Sequence, residues 1–176
     1  MPEAVNTSPV NSRAETDLTH PRDTFDPTCP FCRIARGQDP DVQIVCEGPS
    51  WVAFFPPEPA TPGHTLVIPR DHVPDVWGLD PALGSDLMSA VVGVGRAIRA
   101  GIEPAPEGMN LISSSGAAAE QTVFHVHLHV VPRWRHDRIG RIWPPKRRMN
   151  EELKEDLAER IRDECVSGFR TAQHGD

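Results

Sequence analysis

Residues 125–131 read His-Val-His-Leu-His-Val-Val, three imidazoles at every second position of an otherwise apolar run. On an extended chain, side chains alternate between two faces. His125, His127 and His129 therefore share one face, and Val126, Leu128 and Val130 share the other. The apolar face demands a core, while the imidazole face forms a polar ridge on the open side. A half-buried strand carrying a site is the first constraint on the fold.

Three uses of such a ridge are open. The histidines can be solvated residues on an exposed sheet face. They can bind a metal, but residues two apart on a strand are separated by about 6.6 Å and the outer pair by about 13 Å. Zinc requires its nitrogens about 2.0–2.1 Å away, so three rings on a straight strand do not converge on one ion, although one ring can join ligands from elsewhere. The third use is chemistry at phosphorus. Imidazole, with an ordinary pKa near ~6.5, is largely neutral and nucleophilic at neutral pH. A central ring can attack while its neighbours donate hydrogen bonds to phosphate oxygens. That division of labour accounts for the ridge best.

Strand-like runs occur at 42–48, 51–55, 64–69, 109–115 and 123–131, with the turn-rich PPEPATPG between the second and third. Asp80 and Pro81 form a helix start. Leu83, Leu87, Val91, Val94 and Ile98 follow at helical spacing, and Gly101 ends the run. Gly93 and Gly95 each weaken this helix by about 1 kcal/mol unless something packs closely there. A last helix is expected from Asn150, with Leu153, Leu157 and Ile161 as its stripe. Without a regular βαβ alternation, this order predicts an α+β domain. Its antiparallel sheet has about five strands, with one main packing helix and a C-terminal helix. Residues 1–26 lack a hydrophobic period and read as a disordered tail, 27–168 as the domain and 169–176 as a frayed end. The 176-residue length suits one domain. The formal charge of -7 argues against a nucleic-acid surface. The absence of a membrane span or signal peptide makes a cytoplasmic location the expectation.

QTVFHVHLHVVPR resembles the signature of the histidine triad (HIT) family, and the likeness continues in PGHTLVIPRDHV, GMNLISSSG and CPFCRIARG. The four motifs occur in the family's order over roughly residues 29–135 and are most similar to the Hint-like branch. The resemblance implies a nucleotidyl transferase or hydrolase acting at an α-phosphate through a nucleotidyl-histidine intermediate. It makes His127 the nucleophile, gives His129 the phosphate and leaving group, and places His64 beside them. Asn110, Gln121 and Thr122 match positions that contact phosphate or ribose. It also implies a homodimer with a nucleotide-like substrate. HVVPRW is similar to dinucleoside-polyphosphate phosphorylases, which would use phosphate rather than water as acceptor. A zinc-stabilised binding module without useful turnover is the non-enzymatic rival.

Cys29 and Cys32 form a C-x-x-C pair in a chain whose cysteines read as thiols or metal ligands rather than disulfides. No thioredoxin-like pattern surrounds the pair, and a structural zinc needs two further ligands. Family members with this pair use two histidines that correspond to His72 and His125. Cys46 and Cys165 read as ordinary thiols; His20, His136 and His174 read as solvated. The match departs at Pro56, where most nucleotide-binding relatives carry an Asp that holds the ribose hydroxyls. Proline offers neither a side-chain acceptor nor an N–H, and Glu58 is not at the same spacing. The loop SSSGAAAEQ is also longer than is usual in that branch.

Overall fold

The computed structural model describes residues 24–140, 142–143 and 148–172. Most of the expected tail, residues 1–23, lies outside them, as does 173–176. Two compact units divide the chain, Met1–Arg138 and Ile139–Asp176. The first holds α1 (Pro30–Ala35), β1 (Ile44–Glu47), β2 (Trp51–Phe54), β3 (Thr65–Pro69), α2 (Pro81–Gly101), β4 (Gly108–Ile112) and β5 (Leu128–Arg133). The second holds α3 (Glu151–Ala172), which starts where Asn150 Oδ1 accepts from Leu153 N–H at 3.3 Å. No helix among the described residues is long and apolar enough to cross a membrane.

The five strands form one antiparallel sheet in the order β1-β2-β3-β5-β4, and the fold is α+β as expected. Helix α2 covers one face. Its stripe of Leu83, Leu87, Val91, Val94 and Ile98 is buried against Ala53, Val67, Val126 and Val130. Asp80 Oδ1 caps it by accepting from the N–H groups of Ala82 and Leu83 at 2.9 and 3.3 Å. Gly95 has a packing reason: a Cβ there would stand 2.9 Å from Met109 Sδ, whereas one at Gly93 would meet nothing within 4 Å. Gly95 thus lets the helix approach β4, and Gly93 lies on the open side.

The short helix α1 covers the other face, where Ile34 and Ala35 pack with Val52, Phe54, Leu66 and Ile68. Sequence reading left CPFCRIARG without a secondary structure; Pro30 in the first turn fits the helix start. In the β3–β5 register Leu66 faces His129 and Val67 faces Leu128. His129 therefore shares the α1 face, while Val126 and Val130 join the α2 core, as the alternation requires.

One expectation needs correction. The three histidines do not lie on one regular strand: β5 begins at Leu128, so His125 and His127 precede it. Pro69, opposite Val126 if the register continued, has no N–H to extend the ladder. Its carbonyl instead receives the His125 ring at 3.0 Å, and Val126 N–H bonds to Val73 O at 2.6 Å. This break lets His125 part from the other two.

Candidate active site and metal centre

His127 and His129 stand with ring centroids 5.0 Å apart, and Phe31 of α1 meets the His127 ring edge-on at 5.3 Å. His127 Nδ1 is 2.7 Å from the carbonyl of His125. A carbonyl only accepts, so Nδ1 carries the proton and Nε2 keeps the lone pair. Among the described residues no buried side-chain nitrogen or oxygen lacks a partner, and Nε2 of His127 has none. That atom is therefore open to solvent and to a substrate. His64 enters from PGH at the start of β3, where Gly63 takes φ +80 to turn the chain. Its Nε2 lies 2.9 Å from His129 Nδ1.

Burial first, then the neighbouring His127 and His64, pushes His129 down to about 4, and burial lowers His64 as well. An unfolded imidazole takes its proton near 6.5, whereas folded His129 resists until about 4. In that window the unfolded chain binds more protons. The contribution of this ring to stability is thus complete above pH 6.5 and is lost as the pH falls toward 4. Melting temperature followed against pH should decline over that range, less steeply in a His129→Gln protein. Acid limbs of equal slope would contradict the assignment.

His125 turns the other way. With Nε2 donating to the Pro69 carbonyl, its Nδ1 faces Cys29 Sγ at 3.5 Å and Cys32 Sγ at 3.6 Å. His72 Nδ1 lies 3.3 Å from Cys32 Sγ, and the four ligand atoms all fall within 4.8 Å of one another. Two soft sulfurs and two imidazole nitrogens in one cluster suit tetrahedral zinc. The Pro69 carbonyl supplies the outer hydrogen bond that metal-bound histidines commonly make. Burial raises the Cys32 thiol to about 11, with Cys29 adding to the rise. A thiolate in that position needs a cation beside it. Thr24 reaches the same corner, exchanging two hydrogen bonds with the backbone of His72 at 2.7 and 3.0 Å.

The remaining candidates sit differently. Asn110 pairs with Val131 on β5, and its Oδ1 accepts from Arg133, itself held by Asp137. Gln121 is buried, and its amide is engaged by backbone groups of its own loop and of the segment after β3. Oε1 accepts from Gly116 N–H at 2.7 Å, and Nε2 donates to the carbonyls of Pro74 and Val123 at 2.7 and 3.0 Å. Gln121 thus ties the SSSGAAAEQ loop to the segment after β3. Thr122 is exposed, Pro56 is half-buried just past β2, and Glu58 is exposed. Cys46, Cys165 and His136 are exposed, while His20 and His174 lie outside the described residues. Arg133 and Asp137 escaped the sequence reading; the PR after the triad was the available signal.

Residues 37–136 match the HIT domain. The chain belongs to the HIT family. It is 32% identical over 139 residues to adenosine 5'-monophosphoramidase hnt1 of Schizosaccharomyces pombe, covering 77% of this chain and 99% of that one. A HIT family protein from Bacillus anthracis superposes with a TM-score of 0.71 at 36% identity, over 78% of this chain and 97% of that one. A zinc-bound histidine triad protein from Mycobacterium smegmatis shares 36% identity at a TM-score of 0.54, over 68% and 85% of the two chains. The Cys2His2 cluster is thus a possible metal site in a family with a zinc-bound member.

Proposed function

We propose that this HIT protein cleaves a nucleotidyl bond, in a phosphoramidate or phosphoanhydride, by transfer of the nucleotidyl group to His127. The observation that carries this reading is the His127 ring itself. Its proton is held on Nδ1 by the His125 carbonyl, and its open Nε2 lies beside His129. In the first step Nε2 bonds to the α-phosphorus while the bond from phosphorus to the leaving atom breaks, and the electron pair departs with that atom. The positive charge left on the His127 ring is spread toward the carbonyl at Nδ1. His129 hydrogen-bonds a phosphate oxygen or the leaving atom. Water then attacks phosphorus and frees His127. The water oxygen stays on phosphorus, and its protons are divided between the phosphate and the departed group. The monophosphoramidase among the relatives supports this class. Single-turnover cleavage of a fluorogenic nucleoside phosphoramidate tests the reading. Phosphate accelerating the reaction by becoming the acceptor would favour a phosphorylase.

Zinc bound by Cys29, Cys32, His72 and His125 would act structurally, tying α1 and the segment after β3 to the start of β5. The chemistry at His127 does not pass through it.

Pro56 bears on substrate choice. A hydrogen bond to a charged group contributes about 1.5–3 kcal/mol. Adenosine monophosphate should therefore bind one to two orders of magnitude more weakly, by the same ~1.5–3 kcal/mol, than to a relative with Asp there. Calorimetry should show little preference for ribose over deoxyribose, and Pro56→Asp should restore part of it. Tight, ribose-selective binding by the natural protein would mean another residue holds the diol.

A second copy completes the proposal. Strand β4 ends the sheet with Leu111 exposed, and α2 exposes Met88 and Val92 beside it. A groove of about 420 Å³ joins the two, lined by Val92, Met109 and Leu111 together with the charged Arg96, Arg99 and Glu107. A strand edge unpaired among the described residues, with exposed apolar side chains and both signs of charge beside them, suits a twofold partner. Light scattering at micromolar concentration should give a dimer, and Leu111→Lys should give a monomer. A monomeric natural protein would remove this part.

A further inference from the structure

We infer that the backbone amide of Ala60, in the loop after β2, sets the proton position of His129 through His64 and so makes that loop a positioning element of the reaction. The inference rests on the catalytic reading above. A backbone N–H only donates, so the 3.0 Å contact from Ala60 N makes His64 Nδ1 an acceptor. The single proton of the neutral His64 ring then lies on Nε2, facing His129 Nδ1 at 2.9 Å. His129 Nδ1 accepts in turn, which places the His129 proton on its own Nε2.

His127 is set in the opposite sense by the His125 carbonyl. Two adjacent imidazoles thus present opposite proton states at the same ring atom. One offers a lone pair for attack, and the other an N–H for a phosphate oxygen or the leaving atom. A main-chain acceptor fixes the first and a main-chain donor fixes the second.

The loop is built to hold that donor still. Thr61 Oγ1 donates to the Pro132 carbonyl of β5 at 2.9 Å, His64 N–H bonds to Thr61 O at 3.0 Å, and Thr65 Oγ1 donates to Gly63 O at 3.0 Å. Without the Ala60 N–H, His64 is free to carry its proton on Nδ1. Its Nε2 then accepts, and His129 must move its proton to Nδ1. His129 Nε2 becomes a second lone pair, which repels phosphate oxygens.

The test removes the N–H of Ala60. Lactate in place of Ala60 converts the amide to an ester in the full-length chain; Ala60→Pro, genetically encoded, also removes the N–H but fixes φ as well. Long-range proton–nitrogen NMR of ¹⁵N-histidine protein at neutral pH reads each tautomer without substrate. The natural protein should show Nε2–H at His64 and His129 and Nδ1–H at His127. The ester should show mixed tautomers at His64 and His129. Its kcat should be lower by about five- to tenfold, with KM little changed.

His64→Ala removes the ring through which the Ala60 N–H acts on His129, so the ester should have no further effect on kcat in that protein. A pure Nε2–H signal from His129 in the ester protein, or an unchanged kcat, would overturn the inference. A shift of tautomers in a protein that forms no nucleotidyl-His127 would uphold the relay and reject only the reaction.

Discussion

His127→Ala is expected to lose turnover of a nucleoside phosphoramidate by about a thousandfold or more, because the nucleophile itself is removed. The fold should survive. His127 Nδ1 bonds only to the His125 carbonyl, and its ring contacts are edges shared with Phe31 and His129. Truncation opens a gap beside α1 but leaves both apolar clusters intact. Circular dichroism and the melting curve should therefore stay close to those of the natural protein. His129→Ala should be slower yet still form the covalent species, since it removes a hydrogen-bond donor and not the attacking atom. Equal losses in the two variants would mean that the roles are not divided as the geometry divides them.

Loss of zinc should be the largest stability effect. The natural protein is expected to contain about one zinc per chain, and Cys32→Ser should lose most of it. Metal released from Cys29, Cys32, His72 and His125 leaves two buried sulfurs against two imidazoles, with Cys32 held as a thiol by burial. It also unties α1, whose Ile34 and Ala35 contribute to only the smaller cluster. A loss of roughly 3 kcal/mol would lower the melting temperature by about 10 °C in a chain of this size. Elemental analysis paired with calorimetry measures both quantities. A metal-free protein with an unchanged melting temperature would contradict the assignment. Residual single-turnover activity in Cys32→Ser is expected, because His127 is not among the four residues that would hold the metal.

Much of the fold was legible because its elements obey one period each. The α2 stripe from Leu83 to Ile98 repeats cleanly, Asp80 and Pro81 mark its start, and the alternation of Val126, Leu128 and Val130 reaches the core that α2 covers. What the periodicity concealed is where the ladder stops. Extended backbone and a paired strand share the same alternation, and only the position of Pro69 in the neighbouring strand shows that His125 and His127 lie beyond the pairing. Helix α1 was hidden for a different reason: six residues are too few for a period, and its cysteines drew the reading toward a metal.

The site shows the same division. His64, His127 and His129 come together as the motifs implied, and His72 and His125 join the cysteines. Gln121 matched a substrate position, yet its amide is engaged by the backbone of Gly116, Val123 and Pro74. Residue type carries no information about which partner a side chain finds. The Ala60 contact was invisible in principle, because a backbone N–H belongs to every residue except proline.

The bond from His127 Nε2 to phosphorus can be caught in the act. Acid-free quenching of a reaction with labelled nucleoside phosphoramidate, within the first turnover, followed by peptide mass spectrometry, reads that bond. One nucleotidyl group per active site is expected, attached to His127 through an acid-labile, base-stable link and missing from His127→Ala. Label on a cysteine or on another histidine, or full turnover with no labelled protein at any time, would contradict that assignment.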